Sequence, residues 1–177
     1  MNLASLAAAS VALVGSLALG SSGCAGAPSP ARIVVTDAET EREATRVLDD
    51  FHDAAAHADE ERYFGHFAPG GVFLGTDATE RWDVAAFRAY AHPHFAKGKG
   101  WTYRAVARHI VVESSGNVAW FDELLESRLG PCRGSGVLLR SGATFQIAQY
   151  NLTLTIPNER VDDLKRMLAT PAPAPAP

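Results

Sequence analysis

Cysteine is nearly absent from this chain, whose 177 residues include only Cys24 and Cys132. Two cysteines are too few for the disulfide framework that holds many small secreted domains together. The closely spaced histidine, cysteine and carboxylate residues that bind zinc are also missing, because His52 and His57 project from different sides of a helix. We therefore predict a fold that is stabilised by its hydrophobic core, with no metal and no cofactor.

A clustered basic surface is missing as well. The chain has 16 Lys and Arg residues against 20 Asp and Glu residues, for a formal net charge of −4, and its basic residues are scattered. Nucleic-acid binding requires basic side chains gathered on one face. The composition therefore predicts no nucleic-acid partner.

The first 23 residues contain no charged side chain and form an apolar run broken by glycines, which predicts an export signal over residues 1–23. Small residues lead into Cys24, as at a bacterial lipoprotein cleavage site where the cysteine is lipidated. The alternatives are cleavage at residues 25–27 without an anchor, and a disulfide between Cys24 and Cys132. We expect an exported protein of a bacterial envelope, either periplasmic or anchored in the membrane through lipid on Cys24.

The composition divides the rest of the chain into three parts. Residues 24–36 contain two prolines and are predicted to be a linker. Residues 37–169 are long enough for one domain with a single core. Residues 170–177 are a Pro-Ala repeat and are predicted to be a disordered tail.

Hydrophobic periodicity changes halfway along the domain. The first half predicts a helix from Thr36, helices over residues 59–67 and 83–93 with Pro93 ending the latter, and a short strand over 72–74. The second half predicts strands over 101–113, 117–128, 134–140 and 144–156, and a last helix after Pro157. Short connections between the strands predict an antiparallel meander. Helices followed by a sheet indicate an α+β fold.

Five segments in a fixed order carry a more specific signal. They are residues 75–82, 98–103, 119–123, 133–138 and 149–159. Together they resemble the SnoaL-like domain of the NTF2-like (cystatin-like fold) superfamily, over residues 37–168. The resemblance implies a cone in which N-terminal helices pack on a curved mixed or antiparallel sheet around a pocket, and a homodimer formed through the sheet. It does not imply one chemistry, because this superfamily includes both enzymes and binding domains.

Alternation along residues 118–126 separates two neighbouring carboxylates. Glu123 shares a row with Ala119, Phe121 and Leu125, and Asp122 lies in the opposite row. A carboxylate among apolar neighbours has a raised pKa, which a general base requires. Glu123 is therefore the first candidate for a catalytic base and Asp122 the second. The alternative is a carboxylate that faces solvent or pairs with an arginine.

Arg133 stands before a Gly-Ser-Gly segment that lets its guanidinium group lie against the sheet. The geometry predicts pairing with Asp122, with Glu123 or with an acidic ligand, and the alternative is a purely structural salt bridge.

The remaining candidates for the pocket lie in the turn after the short strand and on the last strand. Asp77 and Glu80 are predicted to line the pocket mouth with Trp82 and Trp101. The alternative is that Asp77 organises its own turn and that Glu80 pairs with Arg81 or another neighbour. Tyr150 and Asn151 are neighbours on a strand, so only one of them faces the pocket.

Three functions remain open at this point. The first is an exported protein that binds a small apolar or acidic molecule in the pocket. The second is an isomerase, cyclase or dehydratase with Glu123 or Asp122 as the base, and with Arg133 or Tyr150 stabilising developing negative charge. The third is a non-catalytic module for dimerisation or partner binding.

Overall fold

The computed structural model describes residues 38–169. The predictions for the signal peptide (1–23), the linker (24–36), the lipidation of Cys24 and the tail (170–177) lie outside the described residues. Within the described range the elements are, in order, α1 (Ala38–Ala56), α2 (Glu60–Gly65), β1 (Phe67–Leu74), β2 (Arg81–Asp83), α3 (Val84–Phe95), β3 (Tyr103–Val112), β4 (Val118–Ser127), β5 (Gly130–Ser141), β6 (Thr144–Leu154), a 3-10 turn (Asn158–Arg160) and α4 (Val161–Ala169).

The strands form one open, curved sheet in the order β2-β1-β6-β5-β4-β3. Strands β3 to β6 are an antiparallel meander, as the short connections predicted. Strand β1 pairs in parallel with β6, which makes the sheet mixed. The α+β class is confirmed, with the first three helices packed over one face of the sheet.

The prediction that the second helix continues through Phe67 is wrong. Helix α2 ends at Gly65, and Phe67 begins β1 opposite Ile147. The backbone N–H of Ile147 donates to the His66 carbonyl at 2.8 Å, which draws this segment into the sheet. The register between β1 and β6 shifts at the exposed Pro69, and such a bulge is where a strand tolerates proline.

The prediction that Pro93 ends the third helix is also wrong, because α3 continues to Phe95. Proline removes one backbone hydrogen bond from a helix. Here Ala91 and Phe95 on either side are buried, and the Phe95 ring packs against Trp101 with centroids 4.9 Å apart. This packing holds the last turn of the helix in place.

The short strand β2 was not predicted. It pairs antiparallel with β1 and places Trp82 beside Phe73. Strand β5 begins at Gly130, earlier than predicted, because the turn consists of Arg128 and Leu129 and Gly130 already pairs with Ser127. Gly130 has a positive φ (97°), which glycine tolerates.

The core lies between the helices and the concave face of the sheet. Helix α1 presents its buried residues at helical spacing, among them Ala44, Leu48, Phe51 and Ala55, and it packs across β3 and β6. Burying a side chain such as Phe51 contributes about 2 kcal/mol. The concave face therefore holds both the core and, toward one end, the site described below.

Candidate functional site

The two faces of β4 differ as alternation predicted. Ala119, Phe121, Glu123 and Leu125 are buried on the concave face, whereas Asp122 is exposed on the other face. Glu123 is completely buried in the middle of an otherwise apolar row. A buried carboxylate needs compensating partners, because an isolated charge is strongly disfavoured in the interior.

A β-bulge supplies one of these partners. The pairing of β3 with β4 shifts between Ala105 and Ala107, so that Val106 is the extra residue. Beyond the bulge Arg108 stands opposite Glu123 on the concave face. Without the bulge, period-two alternation from Ala105 would place Arg108 on the outer face.

Glu123 accepts hydrogen bonds from three elements of the fold. Its Oε2 accepts from Arg108 Nε at 2.8 Å, and its Oε1 accepts from the Tyr150 hydroxyl at 2.8 Å. His52 Nε2 on α1 lies 2.7 Å from the same Oε1. An ionised carboxylate only accepts, which assigns the donor role to Nε2 of His52. We call Glu123, Arg108, His52 and Tyr150 the buried polar cluster.

The buried polar cluster also reaches the surface. Arg108 Nη1 donates to Asp49 Oδ1 on α1 at 2.7 Å. The cluster thus ties α1 to β3, β4 and β6, and the arginine is shared between a buried and an exposed carboxylate.

The pKa of Glu123 is lowered, in contrast to the raised pKa that the apolar row predicted. Burial acts to raise the pKa, but the hydrogen bonds from His52 and Tyr150 and the charge of Arg108 outweigh it. The pKa of Tyr150 is raised well above its usual value, by burial first and then by the negative charge of Glu123. Glu123 is therefore an ionised anchor for its neighbours, which corresponds to the arginine-paired alternative. The arginine is Arg108 and not Arg133.

A glycine makes room for the buried polar cluster. Gly134 on β5 pairs with Glu123 across the sheet. A Cβ atom at Gly134 would overlap the Tyr150 hydroxyl and come within 2.9 Å of Glu123 Oε1. The absence of a side chain at this position is thus a condition for the hydrogen bond between Tyr150 and Glu123.

A cavity of about 270 Å³ opens beside this cluster. His52 and Tyr150 belong both to the buried polar cluster and to the cavity wall. Most of the other residues in this wall are aromatic. The lining residues are Phe51, His52, Ala55, Tyr63, Phe73, Gly75, Thr76, Glu80, Trp82, Phe87, Tyr90, Trp101, Tyr103, Leu129, Tyr150 and Leu152.

Stacked rings from β1, β2 and α3 form one wall of the cavity. The Phe73 and Phe87 rings stack at a centroid distance of 4.0 Å, and Trp82 lies on Phe87 at 5.4 Å with an interplanar angle of 5°. Tyr90 continues the stack on Trp82 at 4.8 Å. Stacked aromatic rings with little rotamer freedom give this wall a fixed shape.

The predicted pocket residues divide into two groups. Trp82, Trp101 and Tyr150 line the cavity. Asp122 and Arg133 lie on the outer face of the sheet, because they alternate with the buried residues of their strands. Asp122 is exposed, and its Oδ1 lies 3.5 Å from His109 Nδ1. Arg133 is exposed opposite Thr153.

Asn151 and Asp77 are also absent from the cavity wall. The Asn151 amide donates to Ser135 Oγ at 3.5 Å and to Thr153 Oγ1 at 3.2 Å, as its outward parity requires. Asp77 accepts from the backbone N–H of Thr79 at 2.8 Å and from its hydroxyl at 2.6 Å. Asp77 therefore organises its own turn, the second of its two predicted roles.

Cys132 is a free, buried thiol. Among residues 38–169 no group of three or more histidine, cysteine, aspartate or glutamate side chains is placed to hold a metal ion. No helix in the same range is long and apolar enough to cross a membrane.

Comparison with solved structures identifies the class of fold. The chain is similar to a domain of unknown function with a cystatin-like fold from Nostoc punctiforme, with a TM-score of 0.61 and 16% identity over 77% of this chain and 90% of that chain. It is also similar to a cystatin-like fold protein from Burkholderia xenovorans (TM-score 0.57, 14% identity, 68% and 96% covered) and to an NTF2-like protein of unknown function from Pseudomonas putida (0.56, 12%, 68% and 90%). These likenesses show the fold alone.

Helices over an open mixed sheet, with a cavity at one end of the concave face, define an NTF2-like domain. Residues 45–157, more than half of the chain, match the SnoaL-like domain, and the chain belongs to that family. No curated protein sequence matches it.

Proposed function

We propose that this domain binds a small organic molecule containing one or two rings in the aromatic-walled cavity. The observation that carries the proposal is a cavity of about 270 Å³ lined mostly by aromatic rings, with His52 and Tyr150 also in its wall. Binding sites for small molecules are typically apolar cavities with a few fixed polar groups. A cavity of about 150 Å³ accepts benzene, so this one has room for about eleven non-hydrogen atoms.

Isothermal titration calorimetry with 2-tetralone and related bicyclic compounds tests this proposal. Thr76 is exposed and lines the cavity mouth, so Thr76→Phe should obstruct the cavity with little effect on folding. Ala78 is exposed in the same turn but outside the lining, and Ala78→Phe is the matched control. We expect binding to the native protein and to Ala78→Phe, and a loss of at least about tenfold in Thr76→Phe. Equal affinity in all three proteins, or no binding of any ring compound, would contradict the proposal.

A second candidate function is proton transfer, and the contact between His52 and Glu123 favours it. A carboxylate that holds one imidazole nitrogen fixes the tautomer and orientation of the ring, which leaves the other nitrogen available as a general base. This arrangement assigns the base to His52 in the cavity wall and makes Glu123 the group that positions it. Asp122, on the outer face, has no route to the same cavity.

Deuterium exchange at the α-carbon of bound 2-tetralone, followed by NMR in D2O, measures this activity directly. Catalysis by His52 predicts faster exchange in the native protein and loss of that acceleration in His52→Gln. His57→Gln is the control, because His57 is exposed at the end of α1. Exchange that is unchanged in His52→Gln, with ligand binding retained, would exclude His52 as the base.

Dimerisation through the sheet is a further part of the proposal. The outer face carries Trp120, Leu124 and Leu139, which are 38%, 40% and 40% exposed. Exposed apolar residues gathered on one face are typical of an interaction surface. Sedimentation velocity is expected to show a dimer that Leu124→Glu converts to monomer, and a native monomer at high concentration would contradict it.

Export to the bacterial envelope and lipidation at Cys24 remain proposals that rest on the sequence of residues 1–24. Fractionation of cells that express the whole chain tests both. Membrane-associated protein that becomes free in the periplasm in Cys24→Ala supports lipidation, and protein that stays in the cytoplasm contradicts export.

A further inference from the structure

The charged groups that face the cavity are unevenly distributed. Among residues 38–169 no lysine or arginine lines it, whereas the Glu80 carboxylate does. His52 is the other lining side chain able to carry charge, and its Nε2 is directed at Glu123, so a positive charge on His52 is already compensated. The wall therefore presents net negative character to an occupant.

Glu80 is held in the wall by the turn that precedes β2. Its carboxylate accepts from the backbone N–H of Asp77 at 3.1 Å, and the Gly75 N–H donates to the Glu80 carbonyl at 2.8 Å. A Cβ atom at Gly75 would overlap the Glu80 carboxylate, so the glycine allows the side chain to fold across the turn. Within the described part of the chain Glu80 forms no ion pair, although it is half-buried.

Several aromatic rings surround the same region of the cavity. Trp82 follows two residues after Glu80 and stacks on Tyr90, and Trp101 and Tyr103 line the cavity with them. Burial raises the pKa of Tyr103 to about 12, so this ring contributes to the wall as a neutral phenol. Aromatic faces attract organic cations, most strongly where water is excluded.

We propose that the preferred ligand of this cavity is an organic cation, an amine or quaternary ammonium group attached to a ring. Its positive group contacts Glu80 beside the rings of Trp82 and Tyr103, and its ring lies toward Phe87 and His52. This inference rests on the proposed small-molecule binding function and adds the charge of the ligand to it. Arg133, which suggested an acidic ligand from the sequence, lies on the opposite face of the sheet and does not contribute.

Three probes of matched size and different charge test the inference. They are benzyltrimethylammonium, its neutral carbon analogue 2,2-dimethylpropylbenzene, and the anion 3-phenylpropanoate. Quenching of tryptophan fluorescence reports binding, since Trp82 and Trp101 line the cavity and Trp120 lies on the outer face. We expect the cation to bind about tenfold more tightly than the neutral analogue, and the anion to bind most weakly.

Variants identify the source of this preference. Glu80→Gln keeps the shape of the side chain and should reduce the cation preference to within about twofold of unity while the neutral probe binds as before. Glu159→Gln, at an exposed glutamate outside the cavity, should leave the preference intact.

The outcomes separate this inference from the proposed function. Equal binding of the cation and the neutral probe, or tightest binding of the anion, would overturn the cationic ligand while leaving the binding cavity in place. Failure of all three probes to bind, while 2-tetralone binds, would overturn the cationic ligand alone; failure of 2-tetralone as well would overturn both. A cation preference that persists in Glu80→Gln would overturn the role of Glu80.

Discussion

Glu123 and Asp122 are adjacent carboxylates on one strand, and they have opposite environments. The Glu123 side chain is 0% exposed and accepts from an arginine, a histidine and a tyrosine. The Asp122 side chain is 51% exposed and lies 3.5 Å from the exposed His109. The concave face buries a carboxylate together with the side chains that compensate its charge. The charged side chains of the outer face are instead exposed to water. Glu123 is therefore part of the site because its position on the strand directs it to the concave face, where it has three hydrogen-bond donors.

The largest difference in stability between the two faces is expected when one carboxylate charge is removed from each face. Glu123→Gln leaves Arg108 without its buried partner, which should lower the free energy of unfolding by about 3 kcal/mol. Asp122→Asn, the matched change on the outer face, should alter it by less than about 0.5 kcal/mol. Urea unfolding followed by circular dichroism measures both. Similar small losses in the two variants would mean that the buried polar cluster does not stabilise the fold.

A smaller loss of stability is expected when a methyl group fills the space beside Glu123. In Gly134→Ala the new methyl group meets the Tyr150 hydroxyl and Glu123 Oε1, and overpacking of this kind costs about 2 kcal/mol. Gly65→Ala is the control, because no atom lies within 4 Å of a Cβ at Gly65 and its φ is not positive. We expect the control to leave stability unchanged or raise it by up to about 1 kcal/mol. Equal stability of the two variants would contradict the close packing at Gly134.

At neutral pH the smallest predicted effect is that of the buried tyrosines, whose contribution to stability is lost only at alkaline pH. Burial raises the pKa of Tyr63, Tyr103 and Tyr150 above the ordinary value of 10.0. The unfolded chain ionises first as pH rises, so the stability that these neutral tyrosines contribute is fully present below about pH 10 and is lost above it. Each contributes a slope of about 1.4 kcal/mol per pH unit in that window.

Tyr150→Phe tests this slope. It removes the hydrogen bond to Glu123, at a cost of about 1 kcal/mol at neutral pH, and one of the three titrating groups. The alkaline loss of stability should therefore be shallower than in the native protein. Tyr90→Phe, at a half-exposed ring, is the comparison variant. An unchanged slope in Tyr150→Phe would show that Tyr150 ionises in the folded protein as readily as in the unfolded chain.

The local order of the fold was predictable from sequence because it depends on period and turn residues. Alternation correctly placed Glu123 among the buried residues of its strand. Trp82 and Trp101, which were predicted to line the pocket, are residues of the cavity wall. The parallel pairing of β1 with β6 joins distant segments, so no local pattern indicates it.

Arg108 could not have been placed by alternation, because the bulge at Val106 reverses the parity of the residues that follow. A second register shift, in the pairing of β5 with β6, brings Ile147 to the same buried face as Tyr150, whereas strict alternation would place them on opposite faces. A bulge of this kind leaves no reliable mark in a single sequence.

His52 was within reach of sequence analysis. It lies at helical spacing from Leu48 and Ala55, on the apolar face of α1, so its inward position follows from periodicity. Its partner could not be inferred, since the distance from His52 to Glu123 depends on how α1 crosses the sheet.

A crystal structure of the protein soaked with benzyltrimethylammonium tests the central claim most directly. The account predicts density for the probe inside the cavity, bordered by Trp82, Trp101 and Tyr103, with His52 still hydrogen-bonded to Glu123. A cavity closed by collapsed side chains, or a probe found only on the outer face near Trp120, would contradict it.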